Sequence, residues 1–266
     1  MIIFLIRLQI HLVAVNKGNK MSYIIMDISD FINGLFALIV VIVGAIIGIR
    51  IILKYRKVKN KTLLYWGVSW CGFYQPWWGA AISFISAIFT QQTIPDQLYM
   101  FLGTFFIPIF VISWWYGLTE LFLKDLRKKI VIIYLLIHLS FNVYVIIALM
   151  INPTDVGEIV SFDVQYESVT MIYLLFINFT MVITGLLFAR DTRKSTMKEP
   201  RVKSLFMIAA FLSYLIGGLA DATIIASTSD VALIIFRLIL MSGAILFYIG
   251  LFLPTFVKKR LKLEDK

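Results

Sequence analysis

The sequence predicts an all-α fold: a polytopic integral membrane bundle of seven transmembrane helices, amino terminus outside and carboxyl terminus cytoplasmic. Three observations lead to this prediction. Of the 266 residues, 61% are hydrophobic and only 15% charged, a composition that would leave a soluble domain with large exposed apolar patches. The apolar residues form seven continuous stretches, and positive charge is confined to every second gap between them. We therefore expect a multi-pass protein of the cell membrane.

The seven apolar stretches have the length of membrane-spanning helices. Each is near or above the roughly 20 residues that cross a hydrocarbon core about 30 Å thick. They are continuous rather than alternating, which favours helices over the strands of a lipid-facing barrel. The predicted spans are about 31–53, 62–88, 98–122, 130–151, 169–189, 204–226 and 231–257.

The first three spans carry signals for close packing and for kinks. Gly44 and Gly48 form a small-xxx-small pair that lets another helix approach closely. Pro76 in the second span and Pro108 in the third each predict a kink, because proline frees a backbone carbonyl inside a helix.

The later spans are joined by short connections, with one exception at 152–168. Asn152-Pro153 ends the fourth span, and Glu199-Pro200 breaks the loop before the sixth. We therefore expect one membrane domain over 21–257.

Basic residues mark every second gap. Such gaps hold 21 of the 25 Lys and Arg residues, at Arg50–Lys61, Lys124–Lys129, Arg190–Lys203 and the tail 258–266. The intervening gaps hold no Lys or Arg but do carry acidic residues, namely Asp96, Asp155, Glu158, Asp163, Glu167 and Asp230. Because Lys and Arg concentrate in cytoplasmic loops, this pattern predicts an outside amino end and a basic cytoplasmic tail.

The net charge of +10 would suggest nucleic acid if it formed a patch on a soluble fold. Here it lies in short loops beside apolar helices, where we expect it to attract anionic lipid headgroups. The predicted partner of the basic loops is thus the bilayer, with no nucleic acid.

Residues 1–20 do not fit this topology. Arg7, Lys17 and Lys20 would lie on the outer side, and the apolar part is too short to span and has an arginine at its centre. We interpret 1–20 as a doubtful leader, with translation starting at Met21. Mass spectrometry that finds peptides from 1–20 in the native protein would contradict this interpretation.

Asp221 in the sixth span and Arg237 in the seventh form a candidate intramembrane ion pair. Each lies eight residues from a turn at Ser229, which at 1.5 Å per residue places both about 12 Å along their helices. Pairing would offset much of the cost of burying the two charges. The sequence leaves three roles open for this pair. It is a structural clamp, a switch, or a site at which Arg237 faces a central cavity and binds an anion.

Four other polar side chains fall within the spans: Gln75, His138, Asn142 and Asn178. His138 and Asn142 are one turn apart on the same helix face. Interhelical hydrogen bonds are the common role of such residues, and a polar pocket for a small ligand is the alternative.

Signals for enzymatic chemistry are missing from the sequence. No lysine occurs between Lys203 and Lys258, so the last two helices cannot hold a retinal Schiff base. No Cys and His cluster, Gly-rich nucleotide loop or nucleophile motif stands out. We expect no cofactor, no metal and no enzymatic activity.

The arrangement resembles the seven-helix membrane regions at the amino terminus of some prokaryotic sensor histidine kinases. The similar features are a basic first loop after an Ile-rich helix, a Trp-rich second helix, and a third helix reading Phe-Phe-Ile-Pro-Ile-Phe at 105–110 and continuing to Tyr116-Gly117. No kinase domain follows Pro254, so the resemblance implies a receiver module that signals through a separate protein.

We therefore expect a stand-alone membrane sensor or receptor-like protein that binds a small ligand within the bundle. A small transporter is the alternative, since carriers place polar residues near broken helices at the midplane. A non-catalytic assembly partner is a third possibility. A bundle sealed on its cytoplasmic side would favour the sensor, and one with gates on both sides would favour the transporter.

Overall fold

A computed structural model describes residues 26–160, 162–224 and 229–263, without the side chains of residues 223 and 224. The predicted leader lies outside these ranges. Within them the chain is all-α apart from one small hairpin. The helices are α1 (Ile28–Val58), α2 (Lys61–Gly72), α3 (Trp78–Thr90), α4 (Asp96–Thr104), α5 (Ile107–Leu121), α6 (Arg127–Ile151), α7 (Ser168–Arg193), α8 (Lys198–Ile224), α9 (Asp230–Phe252) and α10 (Thr255–Arg260).

Six helical segments are long and apolar enough to cross a membrane, namely Ile28–Val58, Asp96–Leu121, Lys124–Ile151, Ser168–Arg193, Lys198–Ala222 and Asp230–Phe252. Their outward faces carry large apolar side chains that are about half exposed, such as Leu136, Leu187 and Leu238. Water would disfavour this much exposed apolar surface, whereas lipid tails would not. The fold thus has the character of a multi-pass membrane protein.

The second predicted span is broken in the middle. Its halves, α2 and α3, have 12 and 13 residues and are joined by a 3₁₀ turn at Gln75–Trp77. Pro76 lies in this turn, since proline lacks the N–H that a continuous helix needs and clashes with the preceding turn. Each half alone is shorter than the roughly 20 residues of a spanning helix, so this segment is not among the six.

The third predicted span is interrupted as well. Phe105 and Phe106 separate α4 from α5, and Pro108 follows as the second residue of α5. Both prolines expected to cause kinks therefore lie at helix breaks.

The last predicted span is shorter than expected. It was predicted to reach residue 257, but α9 ends at Phe252 and Leu253 adopts a left-handed conformation with φ 45°. Pro254 then precedes the separate short helix α10. The residue before a proline is disfavoured in the α conformation, which explains why the helix stops there.

The first helix packs closely against the second through Gly48. A Cβ atom at this position would lie 2.4 Å from Cys71 Sγ and 2.7 Å from the carbonyl oxygen of Gly67. A larger residue would thus collide with the backbone of α2. The small-xxx-small pair predicted in the first span has this packing role, since Gly44 likewise faces the ring of Tyr74.

The long predicted connection contains an antiparallel hairpin, β1 (Gly157–Val160) and β2 (Asp163–Tyr166), with Val160 opposite Asp163. We call this side of the bundle the hairpin end. The opposite side, with the basic loops before α2, α6 and α8 and with α10, is the basic end.

Candidate functional site

Arg237 on α9 is the centre of a buried polar cluster near the hairpin end. Its side chain is fully buried, and each of its nitrogens donates to a different partner. Nε donates to Asp221 Oδ1 on α8 at 3.1 Å, Nη1 to the carbonyl oxygen of Asn33 on α1 at 2.5 Å, and Nη2 to Asp163 Oδ2 on β2 at 3.3 Å. One guanidinium thus ties three helices and the hairpin together.

Asp221 completes the predicted pair and adds a second connection. Its side chain is 5% exposed, and its Oδ2 accepts a hydrogen bond from the indole Nε1 of Trp77 at 2.5 Å. Trp77 lies at the proline turn between α2 and α3. Both carboxylate oxygens therefore have donors, as a charge this deeply buried requires.

Asp163 is the charged member of the cluster that the sequence did not predict, and Asn33 and Trp77 were not predicted there either. Asp163 follows Phe162, which is 1% exposed and packs edge-on against Phe84 at 5.6 Å. The hydroxyl of Tyr99 also donates to the carbonyl oxygen of Phe162 at 3.2 Å. These contacts hold the hairpin against the bundle and direct Asp163 toward Arg237. One sequence pattern could have predicted the strand that carries Asp163: apolar and polar residues alternate over 162–166, which is typical of a short strand.

The electrostatics of Asp163 differ from those of a surface carboxylate. Burial is the main cause that raises the pKa of Asp163 to about 6, and neighbouring Asp221 raises it further, while Arg237 opposes them. The side chain nevertheless keeps 27% of its surface exposed.

A cavity of about 110 Å³ lies beside this cluster. Its wall is largely apolar and comes from the α2–α3 region, α4, α5, α7, α8 and the hairpin. Asp163 and Asp221 are its charged residues, and Pro76 and Asn178 also line it. Arg237 does not belong to this wall in the described chain. Its guanidinium instead hydrogen-bonds to both carboxylates, which favours a structural clamp over an anion-binding arginine.

Two atoms at the cavity are buried and lack a hydrogen-bond partner within the described chain. They are the hydroxyl of Tyr166 and Oδ1 of Asn178, and both residues line the cavity. Leaving a buried polar group unpaired costs about 1–3 kcal/mol. The cavity therefore offers hydrogen-bonding groups that its own protein does not use.

An aromatic cluster fills the bundle between the cavity and the basic end. Trp70 stacks on Phe247 at 4.4 Å, and Trp66 stacks on Trp114 at 5.8 Å. Phe211 contacts both Trp114 and Phe247. All five side chains are at most 2% exposed. We call Trp66, Trp70, Trp114, Phe211 and Phe247 the aromatic plug.

Gln75 and Asn142 hydrogen-bond to the broken third span and are not among the residues that line the cavity. Nε2 of Gln75 donates to the carbonyl oxygen of Leu102 at 3.0 Å, and Nδ2 of Asn142 donates to that of Phe105 at 3.1 Å. Ile109, the usual donor to Phe105, bonds to Phe106 instead. Asn142 thus replaces a backbone bond that the break removes.

His138 also lies apart from the cavity. It is fully buried, and its Nδ1 is 2.6 Å from the hydroxyl of Tyr173, which joins α6 to α7. The structure therefore brings Asp221, Arg237, Asn178 and Pro76 to one region, and leaves His138, Asn142 and Gln75 in interhelical hydrogen bonds.

Among the described residues, no group of three His, Cys, Asp or Glu side chains is arranged to hold a metal ion. The chain matches no protein-family model and no curated protein.

Proposed function

We propose that this protein is a stand-alone membrane sensor of seven helices in the cell membrane. A small ligand binds in the cavity at the hairpin end, and helix movement carries the signal to a separate partner protein at the basic end. The observation that carries the proposal is the aromatic plug, which fills the path from the cavity to the basic end. A carrier would need that path to open.

The proposed topology counts residues 61–90 as one broken crossing. Irregular backbone at membrane depth is tolerated where protein covers it, and Gln75 and Trp77 in the turn are both buried. Seven crossings then leave the amino end outside. The basic end faces the cytoplasm, where Lys and Arg concentrate and where anionic headgroups attract them.

The proposed signal path uses the two helix breaks. Pro76 in the first break lines the cavity, as does Ile107 beside the second. Breaks of this kind let helix halves tilt against one another. A ligand shifts such an equilibrium only by binding one arrangement more tightly. The resemblance to the membrane regions of sensor kinases supports the same proposal.

Cysteine accessibility tests the proposal, because Cys71 is the only native cysteine. In a Cys71→Ala background, single cysteines replace Met181 at the buried cavity wall and Val164 on β2. A membrane-impermeant methanethiosulfonate reagent is added to either side of sealed vesicles. Gln92→Cys and Lys128→Cys, both at exposed positions, mark the hairpin side and the basic side.

We expect Val164→Cys to react from the side that labels Gln92→Cys, and Met181→Cys to stay unreactive from the side that labels Lys128→Cys. Reaction of Met181→Cys from the Lys128 side would show a path through the aromatic plug. That result would favour a transporter and refute the sensor proposal. Labelling of Gln92→Cys and Lys128→Cys from one and the same side would refute the topology.

A further inference from the structure

We propose that the cavity binds a small organic ammonium ion, an alkylamine or arylalkylamine. The inference rests on the proposed function and names the ligand class of that site. It follows from the sign of the charge at the cavity, from the chemistry of its walls and from its unused polar atoms.

The charge at the cavity favours a cation. Asp163 and Asp221 both line it, whereas Arg237 is buried behind them and is not part of the wall among the described residues. With all three groups ionised, the cluster carries one more negative than positive charge. The surface that a ligand meets is therefore acidic. Asp163 Oδ1 already accepts the backbone N–H of Val164 at 2.8 Å, and Oδ2 accepts from Arg237. A carboxylate can accept about four hydrogen bonds, so Asp163 can still accept a donor from the cavity.

The walls favour an organic cation over a bare metal ion. Hard metal cations need several oxygen ligands in a shell, whereas most of this wall is apolar or aromatic. Phe73, Trp77, Phe110 and Tyr214 all line the cavity, and aromatic faces attract ammonium groups. An apolar cavity of about 150 Å³ accepts benzene in another protein. At about 110 Å³ this cavity is smaller, so the organic group of its ligand can be no larger than a single ring or a short alkyl chain.

The unused polar atoms complete the site. Within the part of the chain that the structure describes, Oδ1 of Asn178 is an acceptor without a partner, and the hydroxyl of Tyr166 can accept as well. Together with the carboxylates they offer oxygens to the three N–H groups of a primary ammonium. An anionic ligand would meet these same oxygens and be repelled.

Equilibrium binding of three matched probes tests the inference with purified full-length protein in nanodiscs and empty nanodiscs as the blank. Benzylamine, benzyl alcohol and benzoate share one ring and differ in charge. We expect benzylamine to bind roughly 10- to 100-fold more tightly than benzyl alcohol, and benzoate to bind least, because a hydrogen bond to a charged group carries that difference.

Asp163→Asn keeps the shape of the side chain and removes its charge. We expect it to abolish the preference for benzylamine while leaving benzyl alcohol binding unchanged, which also reports an intact cavity. Glu158→Gln, an exposed position on β1, is the matched control and should leave all three affinities unchanged.

The Asp163→Asn substitution could disrupt the cavity itself. A pH titration of the unmodified protein then tests the inference without any substitution. The groups facing Asp163 are Arg237, Asp221, Tyr99 and Tyr166. Benzylamine affinity should fall as pH drops from 7.5 to 5, while benzyl alcohol affinity stays constant. Equal binding of the three probes, no binding of benzylamine, or a flat pH profile would overturn the inference.

Failure of the amine inference and failure of the sensor proposal give different results. Amine binding together with labelling of Met181→Cys from the basic side would identify an amine transporter, so the sensor would fail and the ligand class would stand. A sealed plug without amine binding would give the opposite result.

Discussion

Arg237 and Asp221 are sixteen residues apart in the sequence, yet their side chains meet at 3.1 Å inside the bundle. They lie on the antiparallel helices α8 and α9, at matching depth below the hairpin end. The same guanidinium also reaches Asp163 and the backbone of Asn33. The pair is therefore part of a larger connection among α1, α8, α9 and the hairpin.

Removing the charge of Arg237 should destabilise the fold strongly. Arg237→Met leaves Asp221 buried without its cation, which costs about 3–5 kcal/mol. The measurement is the temperature at which the folded protein is lost in detergent, followed by size-exclusion chromatography. Asp221→Asn added to Arg237→Met should recover part of the loss. No recovery would mean that the packing of Arg237, not its charge, carries the effect.

The stability of the protein should depend on pH through Asp163. Burial raises the pKa of Asp163 to about 6, so the folded protein binds this proton more tightly than the unfolded chain does. The resulting stabilisation is complete below about pH 4 and is lost as pH rises through about 6. A rise of this size corresponds to at most about 3 kcal/mol, and the partial exposure of the group reduces this stabilisation.

Thermal unfolding between pH 4 and pH 8 measures this dependence. Asp163→Asn should flatten the profile between pH 4 and 7, and Glu158→Gln should retain the profile of the unmodified protein. An unchanged profile in Asp163→Asn would assign the pH dependence to another group.

Substitution of Gly48 should loosen the contact between α1 and α2. Gly48→Ala places a methyl group against Cys71 Sγ and the Gly67 carbonyl, and overpacking of this kind costs about 1–3 kcal/mol. Ile49→Ala alters an exposed side chain on the same helix and is the control. If the two variants melt at the same temperature in detergent, the close approach is not a stabilising contact.

Loss of the Asn142 amide should weaken the broken third span. Asn142→Leu leaves the carbonyl of Phe105 without a donor, at a cost of about 1–3 kcal/mol. Ser140→Ala, at an exposed position on the same helix, should have little effect. Hydrogen–deuterium exchange should show faster exchange in α5 near Ile109 for Asn142→Leu. Unchanged exchange there would refute this role.

The sequence indicated most helices but not how they meet. Apolar stretches, and prolines near their ends, are local features of the sequence. The predicted bounds of the corresponding spans therefore agree closely with those of α1, α6, α7 and α8. The break at Gln75–Trp77 was expected only as a kink, because the sequence shows where a proline interrupts the helix but not how far the halves separate. Likewise, His138 and Asn142 share a helix face, but His138 has its partner on α7 and Asn142 has its partner at the break between α4 and α5.

By itself, the sequence determined the helical, apolar character of the chain, the confinement of basic residues to alternate gaps, and the equal depth of Asp221 and Arg237. These follow from composition and from the fixed rise of a helix. Only the tertiary structure decided that Asp163 joins Arg237 across 74 residues of sequence, that the cavity lies beside them, and that the aromatic plug fills the opposite half. Such contacts depend on how side chains from distant segments pack together, which no local pattern encodes.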